Sequence, residues 1–155
     1  MVSMFDKNFK LGVLGGGQLG RMLIQEAVNY NISVSILDAD KNAPCAEIAS
    51  EFFVGDLNNF EAVYQFGKTV NVLTIEIENV NLEALERLES EGLPVFPQPS
   101  VLRMIKDKGL QKSFYREHNI PSADYFLIEN KSEINQHKNH FPFMQKLRKI
   151  GRAHV

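Results

Sequence analysis

Three glycines and two acids carry the chemistry legible in this sequence. Gly15, Gly17 and Gly20 fit G-x-G-x-x-G within Val-Leu-Gly-Gly-Gly-Gln-Leu-Gly-Arg at positions 13–21. The first allows a sharp turn, the second lets backbone approach a ligand with no Cβ in the way, and the third lets a helix pack close on a strand. A helix beginning there aims free N–H groups and the positive end of its dipole at the turn, which favours phosphate. The acids, Glu76 and Glu78, lie in Thr-Ile-Glu-Ile-Glu-Asn-Val at 74–80. Carboxylates accept hydrogen bonds, so beside a phosphate site they suit a ligand that also carries amino, hydroxyl or ribose donors. Asp38 leaves two options open: an acid at this distance from the glycines can hold a ribose hydroxyl of a dinucleotide, or it can cap the turn-rich residues 39–44.

These residues need a scaffold, and the apolar pattern supplies one. Residues 11–14 read as a strand and Leu19, Met22, Leu23 and Ala27 as the inward face of the helix after it. Residues 32–37 form a second strand ending at Asp38, residues 46–49 a helical turn and residues 51–54 a third strand. Residues 59–68 form a helix whose inward face is drawn from Phe60, Val63, Tyr64 and Phe66. A strand at 71–75 then leads into the acids. Residues 81–91 place Leu82, Leu85 and Leu88 on one helix face, Gly92 stops that helix, and residues 93–96 supply a last short strand. Strands alternating with helices, joined by connections too long for hairpins, predict an α/β fold with a doubly wound parallel sheet over residues 9–96. In such sheets ligands bind beyond the carboxyl ends of the strands, so the glycine turn and the acid pair should face one crevice.

After Pro97 and Pro99 the character changes. Residues 100–112 are basic and amphipathic, residues 114–118 continue as helix, and Pro121 ends it. Strands are expected at 125–128 and 141–146 around a polar helix at 132–138, as at the start of a second domain. The 155 residues are 44% hydrophobic, which suits one ordinary core plus part of another. No apolar run approaches the roughly 18 residues of a membrane span, and the N-terminal residues lack a signal-peptide layout. The single Cys45 reads as a small packed residue with no assigned role. A cytoplasmic protein is expected. Seventeen basic and 19 acidic residues give a net charge of −2, so no overall field recruits nucleic acid or an anionic membrane.

Five segments in order carry a resemblance: Gly-Gly-Gly-Gln-Leu-Gly-Arg-Met at 15–22, Glu-Ile-Glu-Asn-Val at 76–80, Ile-Lys-Asp-Lys-Gly-Leu-Gln-Lys at 105–112, Asn-Ile-Pro at 119–121 and Phe-Met-Gln-Lys-Leu-Arg-Lys at 143–149. Together they resemble the N-terminal part of the 5-(carboxyamino)imidazole ribonucleotide synthases, ATP-grasp ligases of purine biosynthesis. The resemblance implies a Rossmann-like pre-ATP-grasp domain followed by the start of an ATP-grasp domain. The implied activity consumes ATP and bicarbonate to carboxylate the exocyclic amine of aminoimidazole ribonucleotide, with Mg2+ held by residues of a later segment. It also implies that Gly16, Gly17, Gln18 and Leu19 contact the ribonucleotide, that Glu76 holds it from the neighbouring strand, and that Glu78 and Asn79 stand behind. Lys108, where many relatives carry Arg, and Lys146 would reach ATP phosphates. A homodimer of the full-length enzyme is implied as well.

The expected organisation is a substrate-binding domain over 1–97, a linker helix and the beginning of an ATP-grasp domain over 98–149, and a non-native tail over 150–155. That tail, Ile-Gly-Arg-Ala-His-Val, matches one reading frame of a common sequencing adapter, so His154 is not counted as a ligand and the fragment alone is expected to be inactive. Other readings remain. The glycines and Asp38 also fit a nicotinamide-dependent oxidoreductase domain. Formate-dependent glycinamide ribonucleotide transformylase shares the layout but tends to carry Glu in place of Gln18. A non-catalytic nucleotide-binding module fits the first domain alone.

Overall fold

The computed structural model describes Asp6 and residues 8–148, so the expected tail at 150–155 lies outside the described residues. The chain divides into two compact units, Met1–Leu102 and Arg103–Val155.

Five strands form the sheet of the first unit: β1 (Lys10–Leu14), β2 (Ser33–Asp38), β3 (Glu51–Val54), β4 (Val72–Ile75) and β5 (Val95–Phe96). All pair in parallel, in the spatial order β3-β2-β1-β4-β5. β1 is central, with Leu14 in register with Leu37 on one side and Ile75 on the other. Side chains alternate across a strand, so neighbours on β1 serve different cores. Val13 packs with Val34, Ile36 and Cys45 against Ile24 and Ala27 of helix α1 (Gln18–Asn29). Leu14 packs on the opposite face with Leu37 and Leu73 against Val63 and Phe66 of α2 (Phe60–Gly67) and Leu85 and Leu88 of α3 (Leu82–Ser90). Each fully buried Val, Leu, Ile or Phe among them contributes about 1.5–3 kcal/mol relative to exposure. The expected doubly wound sheet is therefore the observed one.

Local chemistry sets where the helices begin and end. Asn59 and Asn81 cap α2 and α3, their side-chain oxygens accepting the N–H groups of Ala62 and Ala84, each at 2.9 Å. Gly92, at φ +95°, ends α3 as expected. α1 departs from expectation. Its inward residues are Gly20, Ile24 and Ala27, with Leu23 half-buried, whereas Leu19 and Met22 are 63% and 61% exposed. The cause is close packing: a Cβ at position 20 would stand 3.0 Å from the Gly15 carbonyl oxygen, so the glycine turns toward the loop and rotates Leu19 and Met22 outward. Residues 46–49 make one turn, closed by the Ala49 N–H on the Cys45 carbonyl at 3.0 Å, and do not continue as a helix.

α4 (Pro99–Lys106) runs from the first unit, whose core includes Leu102, to the second. The basic stretch is not one helix, because Asp107 breaks it and caps α5 (Lys108–Glu117). Asp107 Oδ1 accepts the N–H groups of Gly109 at 2.9 Å and Leu110 at 3.1 Å. Arg148 Nε reaches both carboxylate oxygens, at 3.0 and 3.1 Å. α5 stops at Glu117, before Pro121, where Asn119 turns left-handed at φ 54°.

The strands expected at 125–128 and 141–146 are not present; those residues are irregular, and a 3-10 helix, Lys131–His140, lies between them. Among the described residues neither segment has a neighbouring strand. A strand without a partner leaves its N–H and C=O groups unpaired, so β-prone side chains alone do not define one.

Candidate functional site

β1 and β4 are adjacent at the point where the chain changes direction across the sheet, and the carboxyl ends of parallel strands at such a point are where ligands bind in open α/β sheets. The Gly15 N–H donates to the Leu37 carbonyl at 2.9 Å, and the Glu76 N–H to the Leu14 carbonyl at 2.8 Å, so the glycine turn and the acid leave the sheet side by side. Gly15 adopts φ +106°. A Cβ there would stand 2.7 Å from Glu76 Oε2, and one at Gly17 would stand 3.1 Å from Oε1. The glycine turn and Glu76 thus stand side by side, with Glu76 against the glycine backbone.

Gly17 precedes α1 in extended conformation and supplies no side-chain cap. The first N–H groups of a helix have no partner within it, so an uncapped start offers donors and positive potential to an anion. Gln18 and Leu19 are exposed on that first turn; Gly16 is buried beneath it and Gly17 is half-buried. Glu78 and Asn79 are exposed on the loop beyond Glu76, which returns to the core at Val80. The site can therefore hold a phosphate on backbone N–H groups and accept donors of the same ligand at Glu76.

Asp38 is engaged elsewhere. Its Oδ2 accepts the Gly16 N–H at 2.6 Å and its Oδ1 accepts the Asp40 N–H at 2.8 Å. The turn it caps brings Ala43 and Cys45 beneath the loop: a Cβ on Gly16 would stand 3.2 Å from the Ala43 Cβ, and the Cys45 N–H donates to the Gly16 carbonyl at 3.0 Å. The position where a dinucleotide places its ribose is thus served by a carboxylate already committed to protein N–H groups. Cys45, given no role from the sequence, is fully buried behind the loop, with its thiol 3.5 Å from the Gly17 carbonyl. Burial raises its pKa, and the nearby Glu76 and Asp38 carboxylates raise it further. The Pro44-Cys45-Ala46 context signals a small packed residue, which Cys45 is, but not that it packs behind this loop; the Asp-x-Asp turn at 38–40 signals the cap.

In the second unit, the Lys108 ammonium is half-buried and 3.4 Å from both the Ile105 carbonyl and Gln111 Oε1. The backbone N–H of Lys108 donates to the Arg148 carbonyl at 2.8 Å, which ties the start of α5 to the segment bearing Lys146. Lys146 itself is exposed and lies on irregular chain, not on the expected strand. Asp107 already satisfies the first N–H groups of α5, so a polyphosphate here would meet lysine side chains and not a helix terminus. Among the described residues no three His, Cys, Asp or Glu side chains cluster to hold a metal ion. No described helix is long and apolar enough to cross a membrane.

Residues 8–106 match the family model described as the ribonucleotide synthetase preATP-grasp domain. Phosphoribosylaminoimidazole carboxylase from Vigna aconitifolia is 36% identical over 141 residues, which are 91% of this chain and 25% of that protein. The solved N5-carboxyaminoimidazole ribonucleotide synthetase from Thermotoga maritima is 33% identical and superposes with a TM-score of 0.83 over 92% of this chain and 39% of its own. The N5-carboxyaminoimidazole synthase from Aspergillus clavatus, solved with ADP and 5-aminoimidazole ribonucleotide, is 38% identical with a TM-score of 0.77 over 89% of this chain and 38% of its own. The chain thus spans between a quarter and two fifths of the length of these relatives.

Proposed function

Because the chain belongs to the ribonucleotide synthetase preATP-grasp family, we propose that its first unit binds 5-aminoimidazole ribonucleotide for carboxylation at the expense of ATP and bicarbonate. The observation that carries this reading is the Glu76 carboxylate facing the glycine turn while Asp38 is spent on backbone N–H groups. One wall supplies N–H donors and helix-dipole potential for the 5′-phosphate, the other an acceptor for the amine or the ribose hydroxyls. Gly17, Gln18 and Leu19 form the first wall, seated on the buried Gly16 whose N–H is held by Asp38, and Glu76 forms the second, with Glu78 and Asn79 on its rim. With Asp38 holding the Gly16 and Asp40 N–H groups, this reading gives the acceptor role toward the ribose to Glu76.

In the longer protein, bicarbonate oxygen attacks the γ-phosphorus and ADP leaves, giving carboxyphosphate. The exocyclic amine then attacks its carbonyl carbon, and phosphate departs with loss of the amine proton. Residues 1–97 serve as the substrate domain in this scheme and residues 98–149 begin the ATP-grasp half. Lys108 and Lys146 act there as point charges on ATP phosphates. Magnesium chemistry is assigned to residues outside the described chain, and catalysis to the longer protein, which we place in the cytoplasm as a homodimer.

Calorimetric titration of the chain with 5-aminoimidazole ribonucleotide and with NAD tests the reading. Ribonucleotide binding with no NAD binding supports it; micromolar NAD binding without the ribonucleotide returns the site to a dinucleotide fold.

A further inference from the structure

We infer that Asp38 is the positioning residue of the phosphate-binding loop, setting which backbone N–H groups face the ligand; this deepens the ribonucleotide reading and rests on it for the ligand alone. Both carboxylate oxygens are committed, Oδ2 to the Gly16 N–H at 2.6 Å and Oδ1 to the Asp40 N–H at 2.8 Å. The same turn returns a donor to the loop, because the Cys45 N–H holds the Gly16 carbonyl at 3.0 Å. The peptide groups on either side of the Gly16 Cα are therefore both pinned to residues 38–45. Fixing them fixes the direction of the chain into Gly17 and the start of α1, whose N–H groups are uncapped. The floor leaves no slack: Ile36 Cγ2, Ala43 Cβ and Asp38 Cβ all lie 3.2–3.3 Å from where a Gly16 Cβ would stand. Asp38 thus removes the Gly16 N–H from the set that a phosphate can use and orients those that follow. A preorganised loop loses less entropy on binding than one that must order around its ligand.

Two substitutions and two readouts test this. Asp38→Ala removes both acceptors; Asp38→Asn keeps one oxygen and presents an NH2 group to the other N–H. Amide hydrogen exchange on the free chain should show the Gly16 N–H accelerated at least tenfold in D38A and by less in D38N, with β1 and β4 amides unchanged. Titration with 5-aminoimidazole ribonucleotide should show affinity reduced at least tenfold in D38A and by less in D38N. Unchanged exchange at Gly16, equal acceleration throughout the sheet, or wild-type affinity in D38A overturns the inference. If the wild-type chain fails to bind the ribonucleotide, the proposed function falls, and the exchange pattern alone decides whether Asp38 positions the loop.

Discussion

The Glu76 carboxylate faces the Gly17 backbone so closely that a Cβ there would stand 3.1 Å from Oε1. The two residues follow different strands, β4 and β1, whose ends are joined by the parallel pairing of Leu14 with Ile75. A ligand lying over this pair meets an acceptor from one strand end and bare backbone from the other.

Substitutions at this pair should separate the two walls. Gly17→Val places a branched side chain against the Glu76 oxygens and should abolish ribonucleotide binding. Glu76→Gln keeps the shape and removes the charge. Because hydrogen bonds to charged groups contribute about 1.5–3 kcal/mol, it should weaken binding about tenfold to a hundredfold. Calorimetry measures both, and thermal unfolding checks that each variant is folded.

The lysines should act on ATP alone. In a longer protein containing the whole ATP-grasp half, Lys108→Met and Lys146→Met should each raise the KM for ATP about tenfold, the equivalent of about 1.4 kcal/mol, and leave ribonucleotide affinity within twofold. Steady-state kinetics at saturating bicarbonate reads the difference. An unchanged ATP requirement in both variants would assign the lysines to solvated surface.

The cap of α3 supports the sheet face beneath β4. Asn81→Ala removes the acceptor for the Ala84 N–H and the donor to the Asn58 carbonyl. Urea denaturation should show a loss of about 1 kcal/mol with an unchanged m-value.

Asp107 makes the second unit pH-sensitive. The hydrogen bond from Arg148 holds its carboxyl below the usual range, helped by the N–H groups of Leu110 and Gly109 and opposed by burial. A depressed folded-state pKa means that the stabilisation is fully present above the unfolded value of about 3.9 and is lost as pH falls through the folded value. Protection of the Gly109 and Leu110 amides against hydrogen exchange should therefore decline below about pH 4 in the wild type. In Asp107→Asn it should be lower at neutral pH and nearly pH-independent over the same interval.

The sheet and the meeting of the glycine turn with Glu76 were legible in the sequence because short-range rules dictate them. Val13 and Leu14 alternate on a β-prone strand, Asn59 and Asn81 precede apolar-periodic helices, and Gly15 sits where only a glycine tolerates φ +106°. The α1 face was misassigned because Leu19, Met22, Leu23, Ile24 and Ala27 contain two overlapping apolar stripes. Only the tertiary approach of Gly20 to the Gly15 carbonyl chooses between them. Asp107 was hidden for a similar reason: its flanking residues continue the helical pattern, and its cap is anchored by Arg148, distant in sequence. Residues 125–128 and 141–146 have strand composition, but pairing depends on neighbours that composition does not describe. Asp38 was ambiguous because one carboxylate can serve a ribose or a backbone N–H equally well.

The most direct test maps the ligand onto the residues. A 15N-labelled chain titrated with 5-aminoimidazole ribonucleotide should show saturable amide shifts at Gly17, Gln18, Leu19 and Glu76, and no shifts along α2 or α3. The same titration with NAD should leave the glycine turn unmoved. Saturable ribonucleotide shifts confined to residues away from the turn and Glu76, or NAD shifts centred on Gly17 and Asp38, would contradict the assignment of this crevice to the ribonucleotide.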